Sequence, residues 1–507
     1  MSFYPISLDV IKKKIDRKNG RKKPDFSQFI LFNDSEYPNV KVQVNQYHEK
    51  IYRVDGDIPK NLPVENEKRF LFISYDQSIL THGLHKYPAK FFPELPRWII
   101  RRYSSEKEIV LDPFSGSGTT NVEALLNKRH SVGIDVDPFS RFLSKVKTTP
   151  LNMDILKQTQ EKLLHSIVNF NAKLICENDI PSFPYRDNWF NREIVVELAY
   201  IKKMIENLDA DNNIKDFYKI CFSSIIRSVS NADDNCTRTV IRKKLNKKVY
   251  PSDALTKFTE AILINVPKMI EFSNQRPAKI KVEFPEDQDA RDIKYPDHCF
   301  DRALTSPPYA NAVDYPRTHQ LEIYWLGFEK GSLTPLKKRH VGTESVYAKD
   351  YYSLHQMGVE SADSVIARIF QKDPRRAYIS YKYLIDMKDN LREVHRVLKK
   401  DRHYIVVVGN NKIRNELFEN WRYILEMAEG IGFKVENYFA SEIINHFIKV
   451  PREERINTDW ILILKKKLKQ KSISIRKIEK LRNNYELLRR CKESEFVLTE
   501  CKKLGII

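Results

Sequence analysis

Glycine is scarce in this sequence, and two kinds of segment are absent from it. Only 14 of the 507 residues are glycine, about 3% where about 7% is usual, which excludes a collagen-like chain. No apolar run reaches the roughly 18 residues that a membrane-spanning helix needs. The N-terminus (MSFYPISLDVIKKK) lacks the charged-then-apolar pattern of a signal peptide, so we expect the chain to stay in the cytoplasm.

Paired cysteines are absent as well. The six cysteines are Cys176, Cys221, Cys236, Cys299, Cys491 and Cys501, and no two of them form a CxxC pair. This scatter argues against a zinc site and against a disulfide framework. We therefore predict that the protein holds no metal.

Positive charge is in excess. The 87 Lys and Arg residues outnumber the 67 Asp and Glu residues, which gives a net charge of +20. Hydrophobic residues make up 41% of the chain, enough to bury a sizeable core at this length, so disorder throughout is excluded. The charge suits a polyanion, usually nucleic acid, but a solvated lysine-rich surface would explain it equally well.

The clearest local pattern is a strand, loop, helix and strand between residues 108 and 135. A short apolar strand ends at Asp112-Pro113, and the loop after it contains Gly116 and Gly118. A helical stretch follows, and then a second strand that ends in Asp135. This order predicts a right-handed parallel crossover unit, in which the loop lets the backbone approach a ligand and Asp135 accepts hydrogen bonds from a ribose. An ordinary strand-to-helix turn is the alternative.

The glycine loop departs from two common nucleotide-binding fingerprints. A dinucleotide-binding loop would have glycine where Asn121 stands, and a P-loop would have lysine after its last glycine, where this chain has Thr119-Thr120. The loop alone therefore identifies no ligand.

A second loop, Ser306-Pro307-Pro308-Tyr309, follows the predicted strand at 300–304. The two prolines fix the backbone and remove donors, so the loop is rigid and presents carbonyl oxygens. Rigid acceptors beside an aromatic ring suit a planar group that carries an exocyclic amine. A plain turn or a polyproline ligand is the alternative.

The α/β pattern covers residues 76–150 and 286–465, and we predict one catalytic domain from these two parts. Residues 1–75 show little regular pattern and form an N-terminal extension. Residues 151–285 are helical and basic, with an amphipathic helix at 194–208 and six basic residues but no acid in 237–248. Residues 466–507 form a basic helical tail.

Two motifs together carry a family resemblance. LDPFSGSGTT at 111–120 and TSPPY at 305–309 resemble the S-adenosylmethionine-dependent DNA amino-methyltransferases, the N4-cytosine and N6-adenine group. HKYPAKF at 85–91 is similar to the family's segment that closes over the cofactor, and Asp289-Ala290 to its element beside the adenine ring. The resemblance covers 76–150 and 286–465, without the N-terminal arm.

The resemblance implies an α/β fold, a Rossmann-like class I methyltransferase sheet with helices on both faces. Between its two parts we predict a largely helical inserted region at 151–285 for DNA target recognition. It implies S-adenosylmethionine as the cofactor and double-stranded DNA as the partner. The cofactor-binding residues it implies are Tyr87, Lys90, Phe91, Asp112, Phe114, Gly116, Gly118, Thr119, Asp135, Asp289 and Ala290. Those at the target amine are Ser306, Pro307, Pro308 and Tyr309.

A base inside a duplex cannot reach such a pocket, so the target nucleotide must be flipped out by a protein that grips the DNA backbone. We expect the grip from the basic stretch of the inserted region, whose residues are Arg238, Arg242, Lys243, Lys244, Lys247 and Lys248. A solvated surface is the alternative reading of this stretch.

Ser306 favours cytosine N4 as the target, because Ser-Pro-Pro-Tyr accompanies N4-cytosine methylation in the family more often than N6-adenine methylation. The sequence contains no Pro-Cys dipeptide, which argues against methylation of cytosine C5. The resemblance also implies a restriction-modification role with a cognate endonuclease. The alternatives are an N6-adenine enzyme, an RNA base methyltransferase, and a DNA-binding subunit without catalysis.

Overall fold

Short runs of β-branched and aromatic residues build one sheet of eleven strands. The computed structural model describes residues 32–33, 37–44, 49–242, 244, 247–310, 313–443 and 458–467. The strands of the sheet are β1 (Phe32–Asn33), β2 (Val40–Val44), β3 (Lys50–Asp55), β4 (Arg69–Ile73), β5 (Ile109–Asp112), β6 (His130–Gly133), β7 (Val282–Glu283), β8 (Arg302–Thr305), β9 (His403–Gly409), β12 (Phe433–Glu442) and β13 (Thr458–Lys466). A separate hairpin joins β10 (Asn411–Ile413) to β11 (Glu416–Phe418).

Helices make up about half of the described chain outside the strands. They are α1 (Glu94–Tyr103), α2 (Thr119–Leu126), α3 (Pro138–Thr148), α4 (Met153–Val168), α5 (Arg186–Trp189), α6 (Arg192–Glu206), α7 (Asn212–Ile226), α8 (Asp253–Gln275), α9 (Tyr315–Thr318), α10 (Gln320–Trp325), α11 (Thr334–Arg339), α12 (Glu360–Lys372), α13 (Pro374–Val397) and α14 (Asn420–Ile431). None of the helices in the described ranges is long and apolar enough to cross a membrane.

The strand order positions the site. The order is β1-β2-β3-β4-β12-β13-β9-β8-β5-β6-β7, and the five strands from β7 to β9 run parallel. Taken in chain order, these five have the arrangement 3-2-1-4-5, so the winding of the sheet reverses between β5 and β8. Ligands of such sheets bind outside the carboxyl ends of the strands at this point of reversal. β13 is antiparallel to both of its neighbours, β9 and β12.

Both faces of the central sheet are buried. In β9, Val406 and Val408 belong to a core with Leu384 and Leu391 of α13, whereas Ile405 and Val407 belong to another with α1. Because successive side chains of a strand point to opposite faces, this division means that helices cover the two faces of the sheet. The predicted helix coverage on both faces is therefore confirmed.

The inserted stretch 151–285 folds mainly into helices that share a core with the catalytic sheet's own elements. Buried residues of α4, α6, α7 and α8 form one cluster with Phe139 and Leu143 of α3 and with Trp325 of α10. The basic stretch 237–248 is an exception, because most of its described residues lie outside regular helices and strands. A lack of apolar periodicity in this stretch is the physical reason.

The N-terminal part contains more regular structure than its sequence pattern predicts. Strands β2 to β4 extend the sheet beyond β12, with Arg69 of β4 opposite Ala440 and Arg69 bonded to Glu442 at 2.5 Å. These strands have only five or six residues each, too few for a periodicity to stand out. The tail predicted at 466–507 lies, from residue 468 onward, outside the described residues.

Candidate active site

Two loops meet where the winding of the sheet reverses. The glycine loop leaves the carboxyl end of β5, and Ser306-Pro307-Pro308-Tyr309 leaves the carboxyl end of β8, which pairs directly with β5. The hydroxyl of Thr305, the last residue of β8, donates to Asp112 Oδ1 at 2.6 Å. This buried bond joins the ends of the two strands, so the two loops open on one side of the molecule.

Backbone conformation explains two glycines of the first loop. Gly116 and Gly118 have φ angles of 49° and 73°, in the left-handed region that favours glycine. A Cβ at Gly118 would also lie 2.7 Å from Ser144 Oγ of α3. The turn therefore needs glycine for its shape and for the close approach of α3.

A cleft opens over these loops, with about 780 Å³ of empty space that includes open solvent. Ten of the eleven residues expected to bind the cofactor line it, and Gly118 does not. Ser306 and Pro308 line it too, whereas Pro307 and Tyr309 do not. The buried Ser115 Oγ, on the same wall, has no hydrogen-bond partner among the described residues. The cleft therefore has polar groups at the glycine loop, and Asp289 and Ala290 line another part of its wall.

Two acidic side chains of the cleft are electrostatically perturbed. Burial raises the pKa of Asp112 to about 6, although the donors at Thr305 and Thr120 oppose the shift. Burial, and then the nearby charge of Asp137, raises the pKa of Asp135 to about 6. Asp135 accepts from the backbone amides of Gly116 at 2.9 Å and Asp137 at 2.8 Å. These bonds hold the carboxylate at the cleft wall.

Asp289, which also lines the cleft, is held by an arginine. Arg291 donates to both carboxylate oxygens of Asp289, at 2.9 and 2.7 Å. Burial disfavours the ionised form, but these bonds and the charge of Arg291 outweigh it and lower the pKa of Asp289. Asp289 is therefore fixed as an ionised hydrogen-bond acceptor at the edge of the cleft.

Tyr309 of the second loop is hydrogen-bonded to β13, a strand that is distant from it in sequence. Tyr309 donates its hydroxyl proton to Asp459 Oδ1 at 2.8 Å. Asp459 lies in β13 opposite Gly409, at the carboxyl end of β9, and therefore at the same edge of the sheet as the cleft. Burial raises the pKa of Asp459 to about 6, and the bond from Tyr309 opposes the shift.

Comparison with known proteins agrees with this arrangement. The profile of the DNA methylase family matches residues 3–141. The type II methyltransferase M.MvaI of Kocuria varians is 26% identical over 381 residues, which are 69% of this chain and 81% of that protein. The type II methyltransferase M.BsoBI of Geobacillus stearothermophilus is 23% identical over 410 residues, 71% of this chain and 79% of that protein.

Together these matches support an S-adenosylmethionine-dependent DNA amino-methyltransferase of the N4/N6 group. Its sheet is the Rossmann-like class I methyltransferase sheet predicted from the sequence. A solved S-adenosylmethionine-dependent methyltransferase from Methanosarcina mazei is 10% identical over 73% of this chain and 98% of its own, at a TM-score of 0.28. The family profile begins at residue 3, so our expectation that the resemblance excludes the N-terminal arm was wrong.

The methyltransferase takes S-adenosylmethionine as its cofactor, and the cleft fits such a group. The unpartnered Ser115 Oγ and the acceptors Asp112 and Asp135 suit an amino-acid end and a ribose. Lys90 also lines the cleft, but its ammonium already donates to the carbonyls of Gln77 and His82 at 3.0 and 3.1 Å. Among the described residues, no group of three or more His, Cys, Asp or Glu side chains could hold a metal ion.

Sequence reasoning missed several residues at the methyltransferase's cleft. Tyr315, Arg339, His340 and Val341 line it, and none of them lies in a motif. His340 Nε2 lies 3.7 Å from Asp137 Oδ2. Burial opposes the charged form of His340, but the Asp137 carboxylate outweighs burial and raises the pKa of the imidazole. No sequence signal distinguished these residues, because only the fold brings 315–341 next to β5 and β6.

Internal partners occupy half of the basic residues that we expected to contact DNA. Arg242 pairs with Asp233 at 3.3 Å, and Lys247 pairs with Asp234 at 2.9 Å. Arg238 lies 3.5 Å from Glu344, in the segment after α11. Lys244 and Lys248 are exposed, and Lys243 lies outside the described residues. The role of this stretch in DNA binding stays a prediction.

Proposed function

We propose that this enzyme transfers a methyl group to the N4 amine of a cytosine flipped out of duplex DNA. The observation that carries the proposal is one cleft lined both by the acceptors Asp112, Asp135 and Asp289 and by Ser306 of the second loop. Serine at this position favours cytosine N4 within the family. S-adenosylmethionine supplies an electrophilic methyl group on a positively charged sulfur.

The residues of the second loop would activate the amine by orienting it. The nitrogen lone pair of an exocyclic amine is conjugated into the ring, which makes it a poor nucleophile. Ser306 Oγ and the carbonyl of Pro307 would accept hydrogen bonds from the two amine protons, so the nitrogen becomes more tetrahedral and its lone pair points at the methyl group. Tyr309 would stack on the base.

The glycine loop and its neighbours would hold the cofactor. Asp112, Gly116, Gly118 and Thr119 would hold the amino-acid end, with Tyr87, Lys90, Phe91 and Phe114 beside it. Asp135 would accept hydrogen bonds from the ribose hydroxyls, and Asp289, beside Ala290, one from the adenine amine. Pro307 and Pro308 would keep the acceptor loop rigid.

We infer a restriction-modification role, with a cognate restriction endonuclease that recognises the same DNA sequence. Support for it comes from relatives named as type II methyltransferases that align over about 80% of their length. Double-stranded DNA is then the substrate, and the net charge of +20 favours its binding. We expect the enzyme in the cytoplasm, where that DNA lies.

Sequencing that detects modified bases in the DNA of a host expressing the enzyme tests this function. We expect N4-methylcytosine in one short sequence context, absent from a host without the enzyme. N6-methyladenine in one context would refute the cytosine assignment and keep the amino-methyltransferase. Methylated tRNA with unmodified DNA would instead support an RNA base methyltransferase.

A double variant tests the second loop. Ser306→Ala with Tyr309→Ala should abolish methyl transfer to DNA and leave S-adenosylmethionine binding, measured by calorimetry, near normal. Loss of cofactor binding would contradict the role assigned to this loop. Transfer that persists would favour a different acceptor for the amine.

A further inference from the structure

A second surface beside the cleft combines exposed tyrosines with cations. We name it the tyrosine–cation surface and define it by Arg238, Lys338, Tyr347, Lys349, Tyr352 and Arg375. Arg339, the last residue of α11, lines the cleft together with His340 and Val341. Lys338 precedes Arg339 in α11, and its ammonium lies 3.9 Å from the centroid of the Tyr347 ring. The part of the surface around Lys338 and Tyr347 therefore lies beside the cleft.

The rings of this surface are unusually exposed. Tyr347 is 56% exposed and Tyr352 is 78% exposed, and Leu354 beside them is 39% exposed. The other tyrosines among the described residues with comparable exposure, Tyr75, Tyr185 and Tyr250, are far from these two in sequence. Two such rings within six residues form a local aromatic patch that the fold does not bury.

Two cations lie beside the ring of Tyr347. The ammonium of Lys338 lies 3.9 Å from the centroid of the Tyr347 ring and donates to its hydroxyl, and Lys349 lies 5.8 Å from the same centroid. The aromatic patch therefore has positive charge at its edges, which repels most cationic partners and attracts anionic ones.

Three arginines converge on one acid next to this patch. Arg376 and Arg238 lie 2.8 and 3.5 Å from Glu344 Oε1, and Arg375 donates to the Glu344 carbonyl at 2.8 Å. Asp373 also faces Arg376, but it is paired with Arg414 as well, so four guanidinium groups face two carboxylates and positive charge remains in surplus here. The pair between Arg238 and Glu344 also joins the inserted region to the segment after α11.

We propose that the tyrosine–cation surface contacts the DNA strand next to the flipped nucleotide, with its cations on phosphates and Tyr352 against an unstacked base. This inference rests on the proposed function, because it names where the same substrate is gripped. Phosphate contacts by lysine and arginine supply much of the affinity for DNA, and exposed aromatic rings bind unstacked bases of any sequence. An acidic protein partner would account for the cations but would not need the exposed tyrosine rings.

Two variants of the full-length protein separate the contribution of the cations to DNA binding from that of the Tyr352 ring. The charge variant carries Lys349→Gln and Arg375→Gln, and the ring variant carries Tyr352→Ser. A matched control carries Lys157→Gln, Lys434→Gln and Tyr185→Ser, which are exposed residues on other elements. All the substituted side chains are exposed, so we expect unchanged thermal unfolding and unchanged S-adenosylmethionine binding.

Fluorescence anisotropy with a mixed-sequence duplex, titrated over a range of salt, gives the first readout. Each phosphate contact contributes about 0.9 to the slope of log affinity against log salt, so the charge variant should lower the slope by about 1.8. The ring variant should keep the slope but bind the separated single strand about tenfold more weakly. The control should behave like the wild type.

Wild-type methylation of the duplex, measured in parallel with labelled S-adenosylmethionine, keeps the two hypotheses distinct. If the wild type methylates and the charge variant keeps the full slope, this surface proposal is wrong and the proposed function stands. If the control loses as much slope as the charge variant, the effect comes from net charge and the proposal is also wrong. If the wild type neither binds nor methylates DNA, both proposals fall.

Discussion

The bond between Tyr309 and Asp459 makes a quantitative prediction about catalysis. Asp459 Oδ1 accepts a hydrogen bond from the tyrosine hydroxyl at 2.8 Å, and we expect this bond to fix the ring that we propose to stack on the target base. A hydrogen bond to a charged group contributes about 1.5–3 kcal/mol. Asp459→Ala should therefore slow methyl transfer by about tenfold or more, at 1.4 kcal/mol per factor of ten.

The milder substitution Asp459→Asn should slow methyl transfer less than Asp459→Ala does. In Asp459→Asn an amide oxygen can still accept from the tyrosine hydroxyl, so only the contribution of the charge is lost. That loss should be about 1 kcal/mol, or roughly fivefold in rate. Asp459 is in this view a positioning residue, which acts on the base through Tyr309.

The assay is single-turnover methyl transfer to duplex DNA at saturating cofactor, combined with a double-mutant cycle. If Asp459 acts through the tyrosine hydroxyl, Tyr309→Phe should remove most of the effect of Asp459→Ala, with a coupling energy of about 1–2 kcal/mol. Calorimetry should give unchanged S-adenosylmethionine affinity for every variant. Additive rate effects, or a loss confined to cofactor affinity, would refute this reasoning.

Two further predictions concern the glycine loop. Because the pKa of Asp135 is raised to about 6, its ionised form is lost as the pH falls through 6. The affinity for the cofactor, measured by calorimetry, should therefore fall between pH 7 and pH 5. In Asp135→Asn the affinity should depend less on pH. Gly118→Ala forces a Cβ to 2.7 Å from Ser144 Oγ at a φ of 73° and should cost about 1–3 kcal/mol. Gly331→Ala, whose Cβ would meet nothing closer than 3.7 Å, should leave the thermal midpoint unchanged.

The raised pKa of Asp135 also has a consequence for stability. In the unfolded chain this carboxyl titrates near its ordinary value of 3.8. A raised value in the fold means that the stability contributed by the protonated form is fully present below pH 3.8 and is lost as the pH rises through about 6. The cofactor-free enzyme therefore bears a cost at neutral pH, and cofactor binding should raise its melting temperature more at pH 7 than at pH 5.

Local patterns sufficed for the elements that carry the two motifs. The strands β5 and β8 and the helix α2 end within about two residues of where the apolar runs and the glycine and proline signals predict. These signals act over a few residues: glycine permits a positive φ, and proline fixes φ at a negative value of about −65°. The chain-order arrangement of strand, loop and helix then predicts that both loops emerge at the same edge of a parallel sheet.

Long-range neighbours were not predictable in this way. The strands β2 to β4 join the sheet only because β12 offers a free edge, and Asp459 reaches Tyr309 across 150 residues of chain. The segment with Arg339 and His340 reaches the cleft without any periodicity or motif. The ion pairs of Arg242 and Lys247 likewise depend on where the chain folds back.

The sequence, through its family resemblance, predicted the chemistry proposed for this enzyme: a glycine loop at a nucleoside-bearing cofactor, a rigid acceptor loop at an amine, and a positive charge suited to DNA. The tertiary structure decided which other side chains stand beside those loops and which cations are already paired with acids. The physical reason is the distance along the chain over which each interaction acts. Backbone preferences are set by a residue and its nearest neighbours, whereas burial, ion pairing and pKa depend on residues that only the folded sheet brings together.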